Sequence, residues 1–152
     1  MRIAFDLDDT LIPTTGPFVV GERRLGPPAG LWFREALRTG APTLMQTLAK
    51  DHEIWIYTTS LRKPWLVKAW FRLWGVRLGE VVNQDDHREA VAANQRYSRF
   101  SKAPRLFGID LMIDDLPGVG IECERQGCRF VIVAPDDPEW VEKVLASAQQ
   151  HY

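Results

Sequence analysis

The sequence is poor in the features that would set it apart from an ordinary globular domain. It has two cysteines, Cys123 and Cys128, with no CxxC spacing and no histidine cluster nearby. A disulfide framework and a zinc site are therefore not expected, and both residues read as reduced thiols. Neither sign of charge is in excess: 19 Lys and Arg stand against 20 Asp and Glu, a net charge of −1, which removes any global argument for nucleic acid or an anionic membrane as partner. No apolar run approaches the roughly 18 residues of a membrane span. The N-terminus enters a strand with no apolar leader ahead of it, so the expectation is a cytoplasmic chain used whole. There is no internal repeat and no low-complexity linker, and 152 residues suit a single domain over 1–152 with one core.

What is present begins with MRIAFDLDDTLI, a short apolar strand over 3–6 that stops at Asp6, Asp8 and Asp9. Alternate residues of a strand point the same way, so Asp6 and Asp8 are expected to face one pocket while Leu7 enters the core. Two converging carboxylates repel unless a proton or cation lies between them. A hard divalent cation with oxygen ligands, magnesium above all, suits such a pair.

From 13 to 40 the chain is dense in proline and glycine, which excludes a long helix. A small hairpin or flap over 18–24 and a short helix over 31–38 ended by Gly40 are expected there. Beyond it, helical patterning (43–50, 64–74, 119–126, 138–149) alternates with apolar strands (53–57, 81–82, 111–113, 129–133), and 84–97 reads as a polar helix or long loop. The stripe Trp65, Leu66, Ala69, Trp70, Leu73 and Trp74 recurs at helical spacing and is expected to pack on the sheet. His52 and His87 read as surface residues. This β-α-β alternation predicts an α/β fold: a Rossmann-like parallel sheet of about five strands with helices on both faces.

Ligands of open parallel sheets bind beyond the carboxyl ends of the strands. Three strands deliver chemistry to that edge: Asp6 and Asp8, Thr58 and Thr59, and Asp114 and Asp115. Any one pair alone is commonly a turn or a helix cap; three after successive buried strands are harder to explain structurally.

In these residues the chain resembles the phosphatases of the haloacid dehalogenase-like (HAD) superfamily. Asp6-Leu7-Asp8-Asp9-Thr10 matches the first family motif, Ile54-Trp55-Ile56-Tyr57-Thr58 the second, Lys102 in Ser101-Lys102-Ala103-Pro104 the third, and Ile113-Asp114-Asp115 the fourth. Arg96, Arg99 and Arg105 flank Lys102 and are the alternatives for its role. The resemblance implies a magnesium-dependent phosphatase that hydrolyses a phosphomonoester through an aspartyl-phosphate. Asp6 is then the nucleophile and Asp8 the acid and base. Mg²⁺ is held by Asp6, the backbone carbonyl of Asp8 and Asp114, while Asp115 orients metal-bound water or Lys102. Thr58 and Lys102 hold the phosphoryl oxygens. Asp9 is assigned to structure.

Thr59, Arg23 and Arg24 are candidates for substrate binding, a solvated hairpin tip being the equal alternative for the two arginines. Arg62 and Lys63 follow the second motif closely enough to touch substrate, although a loop before a helix is ordinarily charged. The 13–40 segment leaves room only for a flap or mini-cap. An architecture with minimal or no cap implies an open site, reached by a phosphorylated small molecule or a macromolecular phosphate, or closed by a second subunit in a homodimer. A catalytically weak module that binds a phosphorylated partner is the alternative from another class.

Overall fold

The computed structural model describes residues 1–16, 28 and 35–150. Five strands, β1 (Arg2–Phe5), β2 (Glu53–Tyr57), β3 (Val81–Val82), β4 (Leu111–Asp114) and β5 (Arg129–Ile132), form one sheet in the order β3-β2-β1-β4-β5. Every pairing is parallel. The strand that opens the chain is thus the central one. That explains its unbroken apolar run, since Ile3, Ala4 and Phe5 are covered on both faces and wholly buried.

The two-residue period of the strands divides the core. Ile3 and Phe5, Ile54 and Ile56, and Leu111 and Ile113 point to one face, where helices α1 (Ala41–Leu48), α2 (Pro64–Leu73) and α5 (Trp140–Gln149) supply Leu44, Met45, Trp70, Phe71, Trp140 and Val144. Ala4, Trp55, Tyr57 and Met112 point to the other, met by Val119 and Cys123 of α4 (Pro117–Gln126). Helix α3 (Gln84–Ala93) follows β3 and begins with a capping box: Asn83 Oδ1 accepts from the Asp85 and Asp86 N–H groups, and Asp86 accepts from the Asn83 N–H. The expected α/β architecture with helices on both faces is therefore present. Among the described residues no helix is long and apolar enough to cross a membrane.

Four local expectations are corrected. The helix over 31–38 is absent in its described part, 35–38: the Arg38 N–H donates to Leu11 O at 2.7 Å, which commits this backbone to pairing with the loop after β1. Gly40 accordingly precedes α1 instead of ending a helix. Its φ is 86°, and a Cβ there would lie 2.9 Å from Val141 Cγ2, so glycine meets both a left-handed turn and a close approach. On α2 the inward face is Val67, Trp70 and Phe71, while Trp65 is 65% exposed and Leu73 49%. The aromatic stripe was wider than one face, and spacing alone could not choose its buried edge. His87, expected at the surface, is buried; it is the one buried residue of α3, drawn in by Tyr57 of the neighbouring strand. The flap expected over 18–24 lies outside the described residues.

Buried Arg38 braces the carboxyl edge of the sheet. Its guanidinium donates to Thr10 O (3.3 Å), Ala134 O (2.6 Å), Pro135 O (3.2 Å) and Asp137 O (3.2 Å) and lies 4.7 Å over the Trp140 ring. One side chain thus ties the loop after β1 to the loop after β5.

Candidate active site

The register places the acids. Phe5 is paired with Ile113 of β4, and the Asp6 N–H donates to Ile113 O at 2.9 Å. Asp6 and Asp114 therefore stand one step further, side by side on adjacent strands and on the face that Ala4 and Met112 share. Parallel strands lie about 4.8 Å apart, so two carboxylates are forced together at the carboxyl edge. Both are buried, Asp6 to 6% exposure and Asp114 to 1%.

Lys102 answers that charge. Its Nζ lies 2.6 Å from Asp6 Oδ1 and 2.6 Å from Asp114 Oδ2, with the lysine itself 3% exposed. The loop carrying it is pinned to α4: Glu122 accepts from the Ser101 N–H, the Ser101 hydroxyl and the Lys102 N–H, and Gln126 Nε2 donates to Lys102 O. Burial pushes the Asp6 carboxyl up to about 7, Lys102 pulling it back and Asp114 pushing it further. Burial also disfavours a charged Lys102, but Asp6 and Asp114 outweigh it and hold the ammonium above its ordinary range. The lysine is therefore charged, and two acids share one counter-ion. Of the candidates for this position, Lys102 reaches the acids, whereas Arg105 faces Asp110 at 3.9 Å.

Asp115 joins the pair. Oxygens of Asp6, Asp114 and Asp115 lie within 4.8 Å of one another. Thr10 Oγ1 donates to Asp115 Oδ1 at 3.1 Å, and the Asp115 carboxyl is raised, chiefly by burial and then by Asp114. Three hard oxygen donors converge on one ammonium, so negative charge is in excess there whenever all three are ionised. That donor set fits a divalent cation of the magnesium type.

The remaining expected site residues are more dispersed. The Asp8 side chain is not part of this carboxylate group. Chain direction changes at Leu7, whose carbonyl accepts from the Leu11 and Ile12 N–H groups. The Asp8 carboxylate then receives Arg62 Nη1 at 3.1 and 3.0 Å and the Thr14 hydroxyl at 2.7 Å, while Arg62 Nη2 continues to Glu35 at 2.7 Å. Thr58 is buried at the end of β2; its hydroxyl donates to Ser60 Oγ and accepts from the Ser60 N–H. Thr59 is exposed, and Arg23 and Arg24 lie outside the described residues.

Asp9 adopts φ 59°, a left-handed turn rare for a residue with a Cβ. Its carboxylate accepts from the Thr14 and Thr15 N–H groups and the Thr15 hydroxyl. Burial opposes ionisation there, yet the Thr15 and Thr14 hydrogen bonds hold the carboxyl below its usual range. This carboxylate shapes the loop that sets the direction of Asp8 and Thr10.

Arg62 was visible in the sequence only as a charged loop residue, since its partner Asp8 is 54 positions away. Tyr57 and His87 gave no functional signal in the sequence. The one clue was parity: Tyr57 ends β2 on the face that Asp6 and Asp114 use.

No family model and no curated protein sequence matches the chain. Among solved structures it is similar to a HAD-like family hydrolase from Porphyromonas gingivalis, with a TM-score of 0.55 and 12% identity over 99% of this chain and 98% of that one. It also aligns with a protein from Vibrio cholerae assigned as 3-deoxy-D-manno-octulosonate 8-phosphate phosphatase, at 14% identity and a TM-score of 0.45 over 97% of this chain and 84% of that one. The second likeness is too loose to bear on function, and the first establishes the fold.

Proposed function

We propose that this HAD-like fold houses a magnesium-dependent phosphatase that hydrolyses a phosphomonoester through an aspartyl-phosphate on Asp6. The observation that carries the reading is Lys102 Nζ, 2.6 Å from both Asp6 and Asp114 at the buried carboxyl edge of the two central strands. Fold likeness alone would carry no activity.

In this reading an Asp6 carboxylate oxygen attacks phosphorus in line as the bond to the leaving oxygen breaks. One difficult displacement is thereby split into two easier ones. Asp8 gives a proton to the leaving oxygen, then takes one from the water that attacks the acyl phosphate, returning Asp6 and releasing inorganic phosphate. Lys102 and Thr58 hold phosphoryl oxygens, the lysine as a fixed positive charge that needs no reorganisation when negative charge develops. Asp6, the Asp8 carbonyl, Asp114 and Asp115 would hold Mg²⁺, which supplies the positive charge that lets a carboxylate approach an anionic phosphate. Thr59, Arg23 and Arg24 fall to substrate binding. The proposal extends to a cytoplasmic setting and to an open site, reached by a phosphorylated metabolite or macromolecule or closed by a second subunit.

Hydrolysis of an aryl phosphate with Mg²⁺ and with EDTA, in wild type beside Asp6→Asn, tests the reading. Mg²⁺-dependent turnover lost in Asp6→Asn is expected; a wild-type rate equal to that of Asp6→Asn overturns it. The engagement of Asp8 by Arg62 favours a second reading, a catalytically weak module that binds a phosphorylated partner. Mg²⁺-dependent turnover by the wild type excludes that one.

A further inference from the structure

Beneath Lys102 lies a buried polar relay that the phosphatase chemistry does not use. Tyr57 is wholly buried at the end of β2, and Lys102 Nζ sits 5.8 Å from the centroid of its ring, within reach of a cation–π attraction. Its hydroxyl does two things. It accepts from the Ala103 N–H at 2.8 Å, and it lies 2.6 Å from His87 Nδ1. Because the Ala103 N–H is always a donor, the hydroxyl proton is best used on His87 Nδ1, which must then be the unprotonated nitrogen of a neutral ring. The Phe100 backbone also acts on the imidazole and favours its charged form. Tyr57 therefore holds the short loop just after Lys102, at Ala103, with His87 behind it, while Glu122 and Gln126 hold the same loop through Ser101 and Lys102.

We infer that Tyr57 and His87 are positioning residues for Lys102, a buried brace that keeps its ammonium on Asp6 and Asp114 while His87 is neutral and slackens when His87 takes a proton. This inference rests on the phosphatase reading of Lys102. A protonated Nδ1 turns from acceptor to donor, and the Tyr57 proton then has no acceptor in a site closed to water. The charged surroundings of the imidazole are Glu122 on α4, which favours its charged form, and Arg88 on its own helix and Lys102 on the loop, which oppose it. Burial is the largest influence and holds His87 below its ordinary 6.5. The brace is thus intact at neutral pH and fails on the acid side.

The test takes the full chain with Mg²⁺ and an aryl phosphate, measuring kcat and KM against pH for wild type, Tyr57→Phe, His87→Asn and His87→Gln. Tyr57→Phe keeps the ring and loses the relay, so kcat/KM falls about 10- to 100-fold with the fold intact by circular dichroism, as a misplaced catalytic group would give. Asparagine can present an acceptor near the position of Nδ1, so His87→Asn retains most of the activity and lacks the wild type's acid-side loss below 6.5. Glutamine presents its amide further out and does not rescue. Wild-type kcat/KM in Tyr57→Phe, or an acid limb unchanged in His87→Asn, overturns the inference.

A second readout needs no turnover. Nitrogen-15 spectra of the imidazole at pH 7.5 should show a neutral ring with its proton on Nε2, and the Ala103 amide should be protected from exchange in wild type but not in Tyr57→Phe. A proton on Nδ1, or equal protection in both proteins, overturns the brace whether or not the chain is a phosphatase. An inactive wild type with the expected spectra condemns the phosphatase reading alone.

Discussion

Replacing Lys102 by methionine isolates the energetics on which the site depends. Methionine keeps the length and apolar stem of the lysine and removes the ammonium, leaving Asp6 and Asp114 on adjacent strands with no buried counter-charge. Removing one partner of a buried ion pair costs roughly 3–5 kcal/mol, and this lysine serves two acids at 2.6 Å each. At roughly 2–4 °C per kcal/mol for a domain of this size, the melting temperature should fall by roughly 6–20 °C at pH 8 in EDTA. The sign with pH follows from Asp6. Its carboxyl is already up to about 7, and losing Lys102 raises it further, so the folded variant binds a proton that the unfolded chain at the same pH does not. Its deficit should therefore shrink as pH falls from 8 towards 5. Mg²⁺ should restore part of the loss, about 2.7 kcal/mol at a hundredfold excess over its dissociation constant. Thermal melts and urea unfolding of wild type and variant at pH 8 and 5.5, with EDTA and with Mg²⁺, read all three effects. A variant within about 1 kcal/mol of wild type at pH 8 in EDTA, or one whose deficit grows in acid, refutes the reasoning.

Three further expectations follow. Asp9→Ala loses three hydrogen bonds and keeps a left-handed backbone with a Cβ, so urea unfolding should show a loss of roughly 2–3 kcal/mol, with Asp9→Asn, which tolerates that conformation, within about 1 kcal/mol. His87 is neutral in the fold and held below 6.5, so its contribution to stability is complete above that value and lost as pH drops below it; chemical denaturation of wild type and His87→Asn between pH 7.5 and 5 should give a steeper decline for wild type. Glu122→Ala frees the Ser101 and Lys102 amides at a partly exposed position, and should lower kcat/KM about tenfold while costing under about 2 kcal/mol in thermal unfolding.

The legibility of this chain was uneven for physical reasons. Apolar strands that end abruptly in acids announce a carboxyl edge, so Asp6 and Asp114 could be read from sequence, as could the parallel sheet around them. Lys102 could be placed only through a resemblance, because a single lysine in a loop carries no period. What failed were features decided by partners far away in the chain. Arg38 leaves the helical pattern because Leu11 claims its N–H, and His87 is buried because Tyr57 supplies the donor that its polar helix lacks. Asp8 illustrates a subtler limit. Alternation would carry its side chain to the side of Asp6, but the regular strand ends at Phe5, and beyond that point side-chain direction is set by the turn through Asp9 and by Arg62.

The central position of β1 has a consequence for how the protein comes into being. Its neighbours are β2, beginning at Glu53, and β4, where Ile3 meets Leu111. During synthesis β1 has no partner on one side until some fifty residues later, and none on the other until about a hundred residues later. Such distant pairings are slow to close, and a bare apolar strand is open to wrong partners in the meantime. Asp6 and Asp8 end that strand with like charges, which discourage two nascent copies from joining there. The same acids that define the mature pocket would thus act earlier as a guard on the unfinished chain.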